Sequence, residues 1–394
     1  MDIDFTNLQA LFKKGMIYGS IGEAQKAMEC FKQVIVFPAA LNLDTEKVKA
    51  QSHWNVMTSP LLEPIQSDFE QAISDLSKFS SFHGKSWILF AIAFGYERLS
   101  DFKSAFEYFK KANAFVWDSS KLDKEKYIEW FSANYERLVS NYSKPINKPK
   151  QSKKIVFVCG LPRSGTTLVE SVLSKSPGVF AGGESNGVSN AVKKLKGIDK
   201  ISEEKELNIF FSIYRDSNDF QSISEEVFVD KMPNNFIYAD YLLRMCPDSL
   251  LINTFKEPLD ACLSLFRQHF GSTMGHLYAY SLPSIVIAYK WHEIFMNKLS
   301  SLYPDRVLNV SYEDLVTNGE SNWKQIFSFI GLGWDTSYMD FYKDKRVVKT
   351  LSNYQVREKV SKKYLRRSES YGDLLGDITY LLSKDLNELC KLLG

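Results

Sequence analysis

Over residues 1–142 the apolar positions recur three or four apart, the period of a helix with one buried face. Two stretches share a single pattern. Gly22 is followed by Ala27, Phe31 and Val34, and Ser100 by Ala105, Phe109 and Ala112, at the same offsets of five, nine and twelve. A small alanine where two helices cross, with a large ring four residues on, suits stacked helix pairs. Leu89, Ile92, Ala93, Tyr96 and Leu99 supply the apolar face of the helix before the second stretch. Residues 143–152 are polar and basic and hold Pro145 and Pro149, which reads as a linker. Beyond it the pattern changes. Short β-branched or aromatic runs at 154–159, 227–229, 250–255 and 306–310 predict strands, and stretches at 166–174, 234–244, 259–270 and 285–302 predict helices. Their alternation predicts an α/β unit over residues 153–394, a parallel sheet flanked by helices with ligands at the carboxyl ends of its strands.

Charge and composition add mainly exclusions. A net charge of +2 over 394 residues gives no global field to recruit nucleic acid or an anionic membrane. No run approaches the roughly 18 apolar residues of a membrane span, and the start of the chain, Met1 to Phe5, lacks a signal-peptide core. The five cysteines are scattered, and neither they nor the five histidines show metal-ligand spacing, so no metal is expected. These features lead to the expectation of a cytoplasmic protein with reduced thiols.

The richest stretch runs from Ile155 to Leu168: a buried strand, a turn bracketed by Gly160 and Gly165, then a helix from Thr166. Such a turn aims unpaired backbone N–H groups at one point, at the positive end of the helix dipole, and so seats an anion. The Gly-x4-Gly spacing is that of a Walker-type loop, but Thr166 stands where a phosphate-hydrolysing loop needs lysine. Arg163 lies inside the loop instead, with a planar fork suited to oxyanions. The run Pro162 to Leu168 resembles the 5′-phosphosulfate loop of sulfotransferases that use PAPS (3′-phosphoadenosine-5′-phosphosulfate), in particular the tyrosylprotein sulfotransferase-like branch. The helical stretches resemble tetratricopeptide repeats, although Ala27 and Ala105 lie 78 residues apart, which is no multiple of the usual period of about 34. A plain helical bundle is the alternative.

The resemblance continues in order from about Lys153 to Val360 and implies a set of roles. Ser164, Gly165, Thr166 and Thr167 would hold the 5′ side of the cosubstrate with Arg163. Lys256, at a strand end, precedes Ser264 by eight places, as in the family's 3′-phosphate motif. Lysine replaces the family's usual arginine there, keeping the charge but losing the fork; Arg267 is a second candidate cation. Tyr312, in the segment Tyr312 to Leu315, would contact the nucleotide. Arg357 would close over the cosubstrate, although the proline that commonly follows in the family is absent. Lys231 and Ser352 match the leaving-group stabilisers, and Glu184 matches the carboxylate base. His276 is the rival base. The implied reaction is transfer of SO3 from PAPS to an acceptor hydroxyl on a peptide tyrosine, a sugar or a small metabolite, releasing PAP. A P-loop kinase or phosphotransferase, and an inactive repeat-based binding protein, stand as alternatives. The repeats would offer a concave face to the acceptor or to a protein or peptide partner. Because every nucleotide motif follows the linker, residues 153–394 alone are expected to bind PAP.

Overall fold

The computed structural model describes residues 5–59, 64–119, 153–196, 202–271, 274–344 and 355–392. The expected linker and Ser352 lie outside them. Six helices come first: α1 (Phe5–Ser20), α2 (Ala24–Val36), α3 (Leu43–Thr58), α4 (Gln66–Leu76), α5 (Phe82–Arg98) and α6 (Phe102–Ser119). The two patterned stretches occupy equivalent places. Gly22 turns α1 into α2 with φ +86°, and Ser100 turns α5 into α6 with φ +61°. Gly15 lets the first pair close, since a Cβ there would lie 2.9 Å from the Phe31 ring. Sequence between the two patterns forms α3, α4 and α5. Asn42 caps α3 by accepting from the Asp44 and Thr45 amides.

Five parallel strands follow: β1 (Lys154–Gly160), β2 (Val179–Ala181), β3 (Val227–Lys231), β4 (Leu250–Phe255) and β5 (Val307–Ser311), in the order β2-β3-β1-β4-β5. β1 is central, and the chain builds first on one side of it and then on the other. That arrangement leaves a crevice at the carboxyl end of β1, where open α/β sheets bind ligands. Four helices matter to the crevice: α7 (Thr166–Leu173), α8 (Pro258–Phe266), α9 (Leu282–Leu302) and α10 (Tyr312–Thr317). The helix expected over 259–270 stops at Phe266, because His269 turns inward and its Nδ1 accepts the Gly271 amide at 2.8 Å.

Alternation along β1 sorts its side chains onto two faces. Val156 and Val158 join Val169, Val172, Trp323 and Phe327 on one face. Ile155, Phe157 and Cys159 belong to the other core, which also takes in Phe90 and Ala93 of α5 and Phe106, Phe109 and Val116 of α6. The helical region and the α/β unit therefore share a core. Asn113 of α6 donates to the carbonyl of Phe266 at 2.7 Å, and Trp87 of α5 stacks on His269 with ring centres 3.9 Å apart. Among the described residues no helix is long and apolar enough to cross a membrane.

Candidate active site

Gly160 ends β1 with φ +149°, and a Cβ there would lie 2.2 Å from the carbonyl oxygen of Thr254, so only glycine fits. Gly165 caps α7 with φ +102°, and a Cβ there would strike the Tyr312 ring at 2.7 Å. Between the two, Arg163 holds φ +72°, a conformation that costs a side-chain-bearing residue about 1–2 kcal/mol. Strain of this kind gathers at ligand-binding loops. Ser164 ties the turn to β4, its Oγ 2.7 Å from Thr254 Oγ1, and Thr166 and Thr167 are buried in the first turn of α7.

The loop meets two further cations. Lys256, directly after β4, is buried, with its ammonium 4.8 Å from the centre of the Tyr312 ring. Burial, opposed by Asp260 and helped by the charge of Arg163, pulls its pKa down to about 8. Burial and the charge of Arg267 likewise lower that of Arg163 to about 10, against Tyr312 and Tyr364. Arg163, Lys256 and Arg267 thus feel one another's charge, a gathering of positive groups that favours an anion. The structure brings together Arg163, Ser164, Gly165, Thr166, Thr167, Lys256 and Tyr312. Ser264 lies on the half-buried side of α8, two turns beyond Pro258.

A second centre forms at the end of β3. Lys231 is fully buried, and its Nζ donates to Glu184 Oε1 at 2.6 Å. The register pairs Lys231 with Val158, two residues before Gly160, so this ion pair flanks β1 on the side away from β4. The backbone before Glu184 is held at three points: Gly182 N–H donates to Val229, Lys231 N–H to Gly183, and Gly183 N–H to the carboxylate of Glu170 on α7 at 2.8 Å. Glu170 therefore links the helix of the anion loop to the segment carrying Glu184. Glu170→Ala should lower the unfolding free energy by about 1.5–3 kcal/mol, the worth of a hydrogen bond to a charged group. Glu170→Gln, which keeps an acceptor oxygen, should cost less; denaturant titration of both variants checks this. Beneath Lys231, Asp230 accepts from Tyr214 at 2.8 Å and Asn235 at 3.1 Å, and burial pushes its pKa up to about 7.

Other expected residues stand elsewhere. The Arg357 guanidinium donates to the carbonyls of Asp344 and of Ser20 at the end of α1, so this cation is engaged with the helical region. His276 sits in the turn Met274–Tyr280 with its Nδ1 buried and unpartnered, and burial lowers its pKa. A Cβ on neighbouring Gly275 would lie 3.7 Å from Asn234, three residues past Lys231. His292 is a core residue bonded through Nε2 to Asn253 Oδ1 at 2.7 Å. Arg267 is bound by Glu97 of α5, and Tyr364 lies near enough to Arg163 to affect it; no local sequence signal announces either arrangement.

Residues 156–336 match the model of the sulfotransferase family, and residues 8–35 match a tetratricopeptide repeat. An uncharacterized protein of Aquifex aeolicus (strain VF5) is 26% identical over 395 aligned positions, which cover 94% of this chain and 49% of that protein. Protein-tyrosine sulfotransferase 2 of Gallus gallus is 23% identical over 202 positions, covering 47% of this chain and 53% of that one. The chain spans about half the length of these curated relatives. Among solved structures, the sulfotransferase domain of the Synechococcus PCC 7002 olefin synthase aligns with 63% of this chain and all of its own, at 19% identity and a TM-score of 0.42. Mouse sulfotransferase SULT7A1 complexed with PAP aligns with 66% of this chain and 94% of its own, at 13% identity and a TM-score of 0.35. The chain thus joins a region that matches the sulfotransferase family model to an N-terminal helical region that opens with a match to a tetratricopeptide repeat.

Proposed function

We propose that this sulfotransferase-family chain moves a sulfuryl group from PAPS to an acceptor hydroxyl and releases PAP. One observation carries the reading: two cationic centres flank the carboxyl end of β1, one built to hold an anion and the other paired with a carboxylate. The glycine-bracketed loop, with Arg163 and Lys256 beside it and no carboxylate in ion-pair contact with Lys256 among the described residues, fits a doubly phosphorylated nucleotide. PAPS supplies an activated sulfuryl group on a good leaving group. The chain's own residues then have three tasks. Loop amides and Arg163 hold the transferring end in line, and Lys231 stabilises charge growing on the leaving oxygen. Glu184 accepts the acceptor's proton. Its contact with Lys231 places base and cation on one spot, so proton acceptance and charge neutralisation occur together.

The acceptor class is a peptide tyrosine, a sugar or a small metabolite; the chicken relative's name favours the first. The helical repeats are a surface for a protein or peptide bearing that hydroxyl. All five cysteines are free, which supports a reducing, cytoplasmic setting.

Thermal shift with PAP, ADP and ATP tests the reading. PAP should stabilise the protein most, because Lys256 and Ser264 are available to a 3′-phosphate; equal stabilisation by ATP overturns it. Affinity for PAP should also fall as pH rises. The phosphate binds the ammonium form of Lys256, whose pKa in the free protein is about 8, so binding is full below that value and weakens above it. Lys256→Met should remove this pH dependence.

A further inference from the structure

We infer that Glu97, a residue of the helical region, is a positioning residue for the donor site: it holds Arg267 within the cation cluster of Arg163 and Lys256. The inference rests on the sulfotransferase reading above. Glu97 is the penultimate residue of α5, and its carboxylate is buried, at 5% exposure. Oε1 accepts from Arg267 and from Arg367, the latter at 2.6 Å, and Oε2 accepts the hydroxyl of Tyr371. Burial alone would raise the pKa of Glu97, but the two guanidiniums and the phenol outweigh it and hold the carboxyl below its ordinary range. Two cations against one anion leave a net positive charge.

Arg267 follows α8 directly and stands three residues beyond Ser264, so the two share a helix face. It caps the helix that begins at Pro258, two residues after Lys256, and its charge adds to the lowering of the pKa of both Arg163 and Lys256. Three such cations repel one another. Glu97 is the anion that keeps the third in place, helped by the rings of Phe94 and Phe109, whose centres lie 5.3 and 5.9 Å from the guanidinium. The same carboxylate anchors the segment of Arg367 and Tyr371, and α8 holds that segment again where Asp260 accepts the Ser368 amide at 2.8 Å. Loss of Glu97 would free Arg267 to swing away from Lys256, and the site would lose positive charge where a 3′-phosphate is held.

The test is a double-mutant cycle in the full chain with Glu97→Gln, Arg267→Gln and both together. Dissociation constants are measured for PAP and for adenosine 5′-phosphate, whose ratio isolates the 3′-phosphate, with melting temperature followed separately. Each single variant should reduce the ratio about tenfold, equivalent to one charge-assisted contact, and the double variant should reduce it no further. An unchanged ratio in Glu97→Gln, or a further loss when it is added to Arg267→Gln, overturns the inference. If Glu97→Gln does not fold, Glu97→Asp reads the same ratio: its shorter carboxylate should lower it, and no change overturns the role. Wild-type protein that shows no preference for PAP over adenosine 5′-phosphate overturns the sulfotransferase reading and this inference together. A preference indifferent to Glu97 overturns only the latter.

Discussion

Glu184→Gln should reduce turnover by about 10²–10⁴-fold, the usual contribution of a general base, while leaving PAP affinity nearly unchanged. Glu184 is bonded to Lys231 at the end of β3, across β1 from Lys256, so under the proposed roles its loss would remove a proton acceptor and leave the anion loop and Lys256 untouched. Glutamine keeps an oxygen for the buried Lys231 ammonium, and the Glu184 side chain is one-third exposed, so the fold should tolerate the change. Steady-state rates with 35S-PAPS and a panel of peptide, glycan and small phenolic acceptors measure the first effect; PAP titration measures the second. Full activity in Glu184→Gln together with its abolition in His276→Ala would move the base to the histidine. The turn carrying His276 comes close to this centre, since a Cβ on Gly275 would lie 3.7 Å from Asn234, three residues past Lys231.

A fragment of residues 153–394 should fail to fold and bind no PAP, against the expectation drawn from the linker and the order of the motifs. Helices α5 and α6 supply one wall of the core that β1 faces. Phe90 packs on Tyr280, and Phe106 packs on Phe266 and Tyr371. Without those helices, Phe266, Tyr280 and Tyr371 face water, at about 1.5–3 kcal/mol for each large side chain. The sum is comparable with the whole stability of an ordinary domain, about 5–15 kcal/mol. Circular dichroism and PAP titration of the fragment decide the matter, with a fragment from residue 42, which retains α3 to α6, as the control expected to fold. A folded, PAP-binding 153–394 would show that the shared core is dispensable.

Much of this architecture was legible because its signals are local. A glycine-bracketed turn between a β-branched run and an apolar helix needs only neighbouring residues, and the anion loop stands where that pattern predicts. So do β1, β3, β4 and β5. β2 escaped because three residues, Val179–Ala181, are too few to display alternation. The helix over 234–244 begins instead as a 3-10 turn at Pro233–Tyr238, the proline imposing its own start. Partnerships across the sequence left no trace. Lys231 and Glu184 each sit in a recognisable local motif, but their direct contact depends on how β3 and the loop after β2 are stacked. Arg357 bonds to Ser20 across the whole chain, and Glu97 carries no motif at all. Such pairs are products of packing, and one sequence holds no periodic record of them.

The contact between Glu97 and Tyr371 spans 274 residues. Translation at about 5–20 residues per second therefore separates their emergence by roughly 15–55 s. For much of that interval α5 and α6 have left the ribosome with Phe90 and Phe106 lacking the rings of Tyr280, Phe266 and Tyr371 that later cover them, and a carboxylate destined for burial still in water. The contacts of Glu97 with Arg367 and Tyr371 are among the last available to the growing chain. Synthesis thus delivers the helical region first, adhesive along one side, and its buried carboxylate finds its partners only when the C-terminal segment returns to it.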